Sequence, residues 1–185
     1  MSEIAEFLSQ LPLMLHDLRS FGISEEVEET GATFAENAEL KAANYAKSAG
    51  APALADDSGL VIDYLNGEPG VQSARYAGES ATDRDRIQKV LSKMHDADNR
   101  AARFVCVVAF ADAGGNVRHS TIGVCEGIIA LEPRGENGFG YDPIFIPEGF
   151  DLTFGQLTSE VKQKISHRAL AISKIIPFLQ GFFKI

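Results

Sequence analysis

The chain is short of cations. Its 185 residues carry 17 Lys and Arg against 26 Asp and Glu, a formal net charge of −9. A non-specific coat for a nucleic-acid polymer needs clustered Lys and Arg, so that class of function is excluded. A polyanionic small molecule is still admissible, given a local basic pocket, a metal ion, or both. Long apolar runs are lacking too, and none approaches the ~20 residues that cross a bilayer. The N-terminus holds Glu3 and Glu6 where an export signal would place basic residues and an apolar stretch. The expectation is a cytoplasmic protein with no membrane role. Cysteine is scarce: Cys106 and Cys125 lie in apolar, strand-like runs without the CxxC or Cys/His spacing of a zinc site. Two free, buried thiols in a reducing compartment are expected rather than a disulfide. No repeat, low-complexity tract or linker interrupts the chain, whose length suits one domain, or one domain with a small lobe.

What is present alternates between two periodicities. Ile4, Phe7, Leu8 and Leu11 stand at helical spacing until Pro12 breaks the pattern. A loop rich in Glu follows, and Thr33 to Ala49 reads as a helix closed by Gly50 and Pro52. Ala53 to Asp57 reads as a short strand ending at two carboxylates, and Leu60 to Leu65 as a second strand. Thr82 opens another helix. Phe104 to Ala111, the turn Asp112 to Asn116 and a return strand to about Ile129 form the clearest hairpin. A Gly-rich loop from Arg134 to Asp142 leads into Pro143 to Ile146, and two short helices start near Thr158 and Ser166. This alternation favours an α/β fold with a mixed sheet.

Four constellations carry chemistry. In Ala55-Asp56-Asp57-Ser58-Gly59, adjacent aspartates cannot both bury against one core, so one should meet a ligand or metal; a plain turn is the alternative. Glu28 and Glu29 can join Asp57 around Mg²⁺, which takes one or two carboxylates, waters and phosphate oxygens. Glu36, three residues after Thr33, reads instead as half of a capping box. In Gly138-Phe139-Gly140-Tyr141-Asp142, glycines let backbone approach a ligand while Phe139 offers a stacking face and Asp142 an acceptor. A tight turn with Phe139 in the core is the alternative. Lys162, and Ser166-His167-Arg168 with Ser166 as an N-cap, place cations where a helix N-terminus attracts anions.

Taken in order along the chain, five blocks resemble the inosine triphosphate pyrophosphatase (Ham1-like) family. They are Thr33 to Ala38, Ala55 to Leu60, Gly70 to Tyr76, Gly138 to Phe145, and Ile165 to Arg168. The likeness runs from about Glu28 to the C-terminus. It implies a twisted sheet with flanking helices, two lobes around a nucleotide cleft, and a homodimer. It implies hydrolysis of ITP, dITP or XTP to the monophosphate and pyrophosphate, with Mg²⁺. Asp57 then corresponds to the general base near the metal, and Glu28 or Glu29 to the acidic metal position. Ser58 and Lys162 correspond to phosphate or substrate contacts. Phe139, Gly140, Tyr141, Asp142, His167 and Arg168 correspond to the pocket that reads a 6-oxopurine.

One departure stands out. The family's opening strand and Thr/Ser-x-Asn-x-x-Lys phosphate loop have no counterpart here, because Met1 falls near the start of the family's first helix. The chain thus reads as a single domain over 1–185, N-terminally truncated relative to the family, with Lys41 the first lysine of the matching region. Two functional classes follow: a pyrophosphatase of reduced activity, or a homologue that only binds nucleotide or assembles with a partner. An exposed sheet edge covered by a rearranged segment or another subunit is also expected.

Overall fold

The computed structural model describes residues 2–9 and 11–185, without the side chains at positions 2 and 3. Helix α1 spans Ser2–Leu8, shorter than its pattern suggested; Leu11 lies beyond it and Gln10 lies outside the described residues. Helix α2, Phe34–Ala49, forms as expected. Thr33 Oγ1 accepts the Glu36 N–H at 3.2 Å, and Glu36 Oε2 accepts the Thr33 N–H at 3.0 Å. Glu36 is therefore occupied with capping, which satisfies N–H groups that the first turn leaves open. Gly50 closes the helix with φ 61°.

The segments expected as two strands form one, β1, over Ala53–Ile62. Ser58 and Gly59 tolerate a turn, but ladder pairing of β1 in the sheet satisfies their backbone in the extended form. The hairpin follows as β2, Ala101–Ala111, and β3, Val117–Ile129. Between β1 and β2 runs α3, Asp83–Lys93, whose N-cap Thr82 shares a capping box with Asp85. A short β4, Phe145–Pro147, pairs antiparallel with β3, Gly127 opposite Pro147 and Ile129 opposite Phe145. The order is β1-β2-β3-β4 and the sheet is antiparallel, not mixed. Neighbouring strands here are joined without the parallel return that a mixed sheet requires. Helix α4 covers Ser159–Ile165. Helix α5, expected to be short, runs 17 residues over His167–Phe183 and through Pro177. Its buried stripe of Ala171, Ile172, Ile175 and Leu179 continues on both sides of the proline, so packing outweighs the lost backbone bond. Among the described residues, no helix is long and apolar enough to cross a membrane.

The chain divides into two compact units. One holds Met1–Asp57, Cys106–Gly123 and Arg168–Ile185. There the period of β2 decides the layers. Val107, Ala109 and Ala111 pack with Ala38, Ala42 and Ala46 of α2, small residues that let the helix approach closely. Cys106, Val108 and Phe110 pack with Leu8 and the α5 stripe. In the same unit, Ile4, Leu8, the stretch from Leu13 to Leu18, Phe21 and Ala53–Asp56 of β1 help line an apolar cavity of about 490 Å³.

The other unit holds Ser58–Val105 and Val124–His167. Leu60, Ile62, Val90, Met94, Ile129 and Ile144 surround the rings of Phe104, Phe145 and Phe154 in its core. Gly127 is required where β4 crosses β3, since a Cβ there would lie 2.3 Å from Ile146 O and 2.7 Å from the Phe145 ring. Gly127→Ala should accordingly destabilise the fold by roughly 1–3 kcal/mol, the usual scale of overpacking. Urea denaturation reads this directly; an unchanged midpoint would show that the two strands separate freely at this point.

Candidate active site

The ladder that keeps β1 straight also separates its two aspartates, because successive strand side chains point to opposite faces. Asp57, only 8% exposed, turns to α2. Its Oδ2 accepts a hydrogen bond from Asn37 Nδ2 at 3.2 Å, and its Oδ1 from Lys41 Nζ at 3.0 Å. Asn37 and Lys41 are four residues apart and so share one face of the helix. Asn37 Oδ1 in turn accepts the Gly31 N–H at 2.7 Å, which ties down the end of the acidic loop. Lys41 Nζ donates a second bond to Glu29 Oε1 at 2.8 Å. One ammonium thus bridges a loop carboxylate and a strand carboxylate.

The electrostatics of this group are uneven. Burial raises the Asp57 carboxyl above its ordinary value and the charge of Glu29 adds to the rise, which Lys41 and Asn37 oppose without cancelling. Burial works against the Lys41 ammonium, yet Glu29 and Asp57 together hold its pKa above the ordinary lysine value. The result is a carboxylate more basic than usual beside a cation that stays charged. Such a pair suits proton abstraction next to an anionic substrate.

Of the predicted acidic residues, Glu29 is partly buried and joins this group, whereas Glu28 is exposed. No cluster of three or more His, Cys, Asp or Glu suited to a metal is found among the described residues. The oxygens of Glu29 and Asp57 do converge on one cation, Lys41 Nζ. Two carboxylates are a sufficient protein donor set for Mg²⁺, which keeps waters and takes phosphate oxygens.

Asp56 faces the other way. Its Oδ2 accepts from Arg168 Nε at 3.1 Å and Nη2 at 3.0 Å, and Cys106 Sγ lies 3.7 Å away. Arg168, predicted to touch the base, is thereby committed to a carboxylate. Both cysteines are free and buried. Burial, with Asp56 adding to it, pushes the Cys106 thiol far up, and burial raises Cys125 to about 12. These are inert thiols.

The remaining predicted residues belong to the second unit. Phe139 is 57% exposed. The backbone beneath it is held at consecutive amides. Asp142 Oδ2 accepts the Phe139 N–H at 2.9 Å, and Asp83 Oδ2 accepts the Gly140 N–H at 2.7 Å. Gly138 has φ 77°, and a Cβ there would strike Asp142 Oδ2 at 1.9 Å. The loop therefore closes only with glycine. Lys162 Nζ also pairs with the buried Asp142 and stands 4.7 Å from the Phe139 ring centroid. Tyr141 points away from this face; it is 4% exposed, and its hydroxyl donates to Ser73 O at 2.9 Å. Burial pushes its phenol well up, so it stays a neutral anchor. His167 is buried and stacks on Phe104 at 4.7 Å between centroids, and Ser58 is partly buried on β1.

Asn37, Lys41 and Asp83 were not singled out as site residues from the sequence. A signal existed for the first two: a polar pair four apart beside the apolar stripe of Ala38, Ala42 and Ala46. Asp83 had none, since an acidic residue in a first helical turn is ordinary.

The chain matches the Ham1 family over residues 1–178. A dITP/XTP pyrophosphatase of Bacillus subtilis is 48% identical over 181 residues, covering 97% of this chain and 91% of the relative. A HAM1 protein from Coxiella burnetii superposes with a TM-score of 0.91 at 46% identity, covering 97% of this chain and 92% of that one. The Staphylococcus aureus Ham1 protein gives a TM-score of 0.90 at 42% identity, over 98% and 94% of the two chains. With the match spanning both units and every block of the site, the chain belongs to the Ham1 family.

Proposed function

We propose that this chain hydrolyses non-canonical purine nucleoside triphosphates, such as ITP, dITP and XTP, to the monophosphate and pyrophosphate. The observation that carries this reading is the buried Asp57, made more basic than usual and held by Lys41 next to Glu29. The names of the relatives, dITP/XTP pyrophosphatase, agree with it. So complete an acid–base group favours catalysis over a binding-only role.

In this reading Asp57 accepts a proton from water as its oxygen bonds to the α-phosphorus. The bond from that phosphorus to the bridging oxygen breaks, and pyrophosphate leaves. Lys41 fixes the orientation of Asp57 and keeps positive charge beside the phosphates. A divalent ion such as Mg²⁺ would be held by Glu29 and Asp57 and would supply charge neutralisation of the triphosphate.

Phe139 offers its exposed face to the purine, and Lys162, held over the same ring and against Asp142, is assigned as a donor to the base. An ammonium only donates hydrogen bonds, so it accepts a 6-oxo group and rejects the donor of a 6-amino group. Ser58, His167 and Arg168 are assigned supporting contacts to substrate, and Arg168 also holds Asp56. Tyr141 supports the loop from below. The enzyme acts as a cytoplasmic homodimer in this proposal.

Two outcomes are expected. Purified protein should release pyrophosphate from ITP or XTP in clear preference to ATP; orthophosphate as first product, or equal rates with ATP, would be incompatible with the reading. Asp57→Asn should lower turnover by roughly 10² or more, the scale of losing a general base. Only the deprotonated carboxylate accepts the proton, so activity is full above its pKa and fades below it. Because burial raises that pKa in the metal-free site, and kcat/KM reports the free enzyme, its acid-side fall should centre above the ordinary 3.8. A pH–rate profile with its acid limb at or below that value, or still present in Asp57→Asn, would remove Asp57 from the role.

A further inference from the structure

Phe139 presents a physical problem. A ring that is 57% exposed gains little from burial, and the glycines on either side of it, with φ 77° and 61°, give the backbone no intrinsic preference for one pose. Left to itself, such a loop would present its aromatic face in many orientations, and a stacked ligand would have to order it. The structure limits that freedom: Lys162 stands over the ring, and two carboxylates hold the backbone. Asp142 takes the Phe139 N–H from within the loop, and Asp83 takes the next N–H, that of Gly140, from the start of α3.

Asp83 is itself braced. Arg86, three residues on, pairs with Asp83 Oδ1. Its Nη1 also donates to Ala74 O at 2.6 Å and Ala81 O at 2.9 Å. The contact is not needed to cap the helix, because Thr82 and Asp85 already form a complete capping box. One oxygen of Asp83 serves the Arg86 brace and the other reaches 57 residues along the chain to the loop.

We infer that Asp83 is a positioning residue for base selection: through the Gly140 amide it fixes the pose of Phe139, and with it the discrimination between 6-oxo and 6-amino purines. This rests on the assignment of Phe139 and Lys162 to the base. The carboxylate touches no reacting atom. Its contribution is order established in advance, so that the affinity of the correct base is not spent on arranging the loop.

Steady-state hydrolysis of ITP and ATP by wild type, Phe139→Ala, Asp83→Ala, Asp83→Asn and Asp85→Ala tests this. Asp83→Ala should raise KM for ITP by about tenfold or more, the scale of one hydrogen bond to a charged group. Its ITP-to-ATP preference should fall by a similar factor, with KM changing more than kcat. Asp83→Asn retains an oxygen that can accept the Gly140 N–H and should recover most of the preference. Asp85→Ala removes half of the capping box and should lower the denaturation midpoint without altering the preference. Hydrogen exchange at the Gly140 amide should quicken in Asp83→Ala and not in Asp85→Ala, a readout independent of turnover.

If Phe139→Ala erodes the preference while Asp83→Ala leaves it and the Gly140 exchange unchanged, the positioning role is overturned and the base assignment stands. An equal loss in Asp85→Ala would also overturn it, by reducing Asp83 to a general stabiliser of α3. If Phe139→Ala leaves the preference intact, the base assignment fails, and the selectivity role of Asp83 with it.

Discussion

Two adjacent carboxylates in one buried strand set the terms for much of this molecule. The pleat of β1 sends Asp56 and Asp57 to opposite faces, and each carboxylate meets its own cation. Lys41 of α2 answers Asp57, and Arg168 of α5 answers Asp56. Each helix is therefore tied to the strand by its cation as well as by its apolar stripe. The two pairings are not equivalent. Asp56 takes two bonds from one guanidinium, both on its Oδ2. Asp57 shares its ammonium with Glu29, and burial leaves it more basic than an ordinary aspartate. The two carboxylates thus differ in the cation each meets and in how that cation is shared.

The first unit is built so that this asymmetry persists. Alanines on α2 bring the helix close to the sheet, which places Asn37 and Lys41 within reach of Asp57. Longer side chains at Ala38 or Ala42 would lift the helix and lengthen both bonds. Asn37, only 1% exposed, also holds Gly31 at the end of the acidic loop. The contacts of Asp57 and the core packing here depend on the same few ångströms.

The second unit holds its glycine loop by a related device. Acidic side chains again hold a fixed geometry, but their partners are backbone amides of a glycine loop rather than a cation alone. Asp142 does both, accepting the Phe139 N–H and pairing with Lys162. Tyr141 secures the loop through Ser73. What remains exposed is the ring of Phe139 with an ammonium nearby, a surface suited to a flat, polar heterocycle.

Local periodicity and turn chemistry were sufficient for α2, α3 and the β2–β3 hairpin, because capping boxes, helical stripes and a Gly-rich turn act over a few residues. They also identified the Asp56–Asp57 pair and its division between two faces, since alternation is a property of any strand. What lay beyond the sequence was non-local. The fusion of two expected strands into β1 depends on pairing with β2, which overrides the turn preference of Asp-Ser-Gly. The antiparallel sheet depends on strand neighbours that periodicity does not name. The length of α5 depends on a buried stripe strong enough to carry the helix past Pro177. The hydrogen-bond partners of Lys41, Tyr141 and Asp83 lie 16, 68 and 57 residues distant. Residue type and spacing determine which groups are capable of chemistry; only tertiary packing decides which charge each one meets, because electrostatic coupling follows distance in space and not distance along the chain.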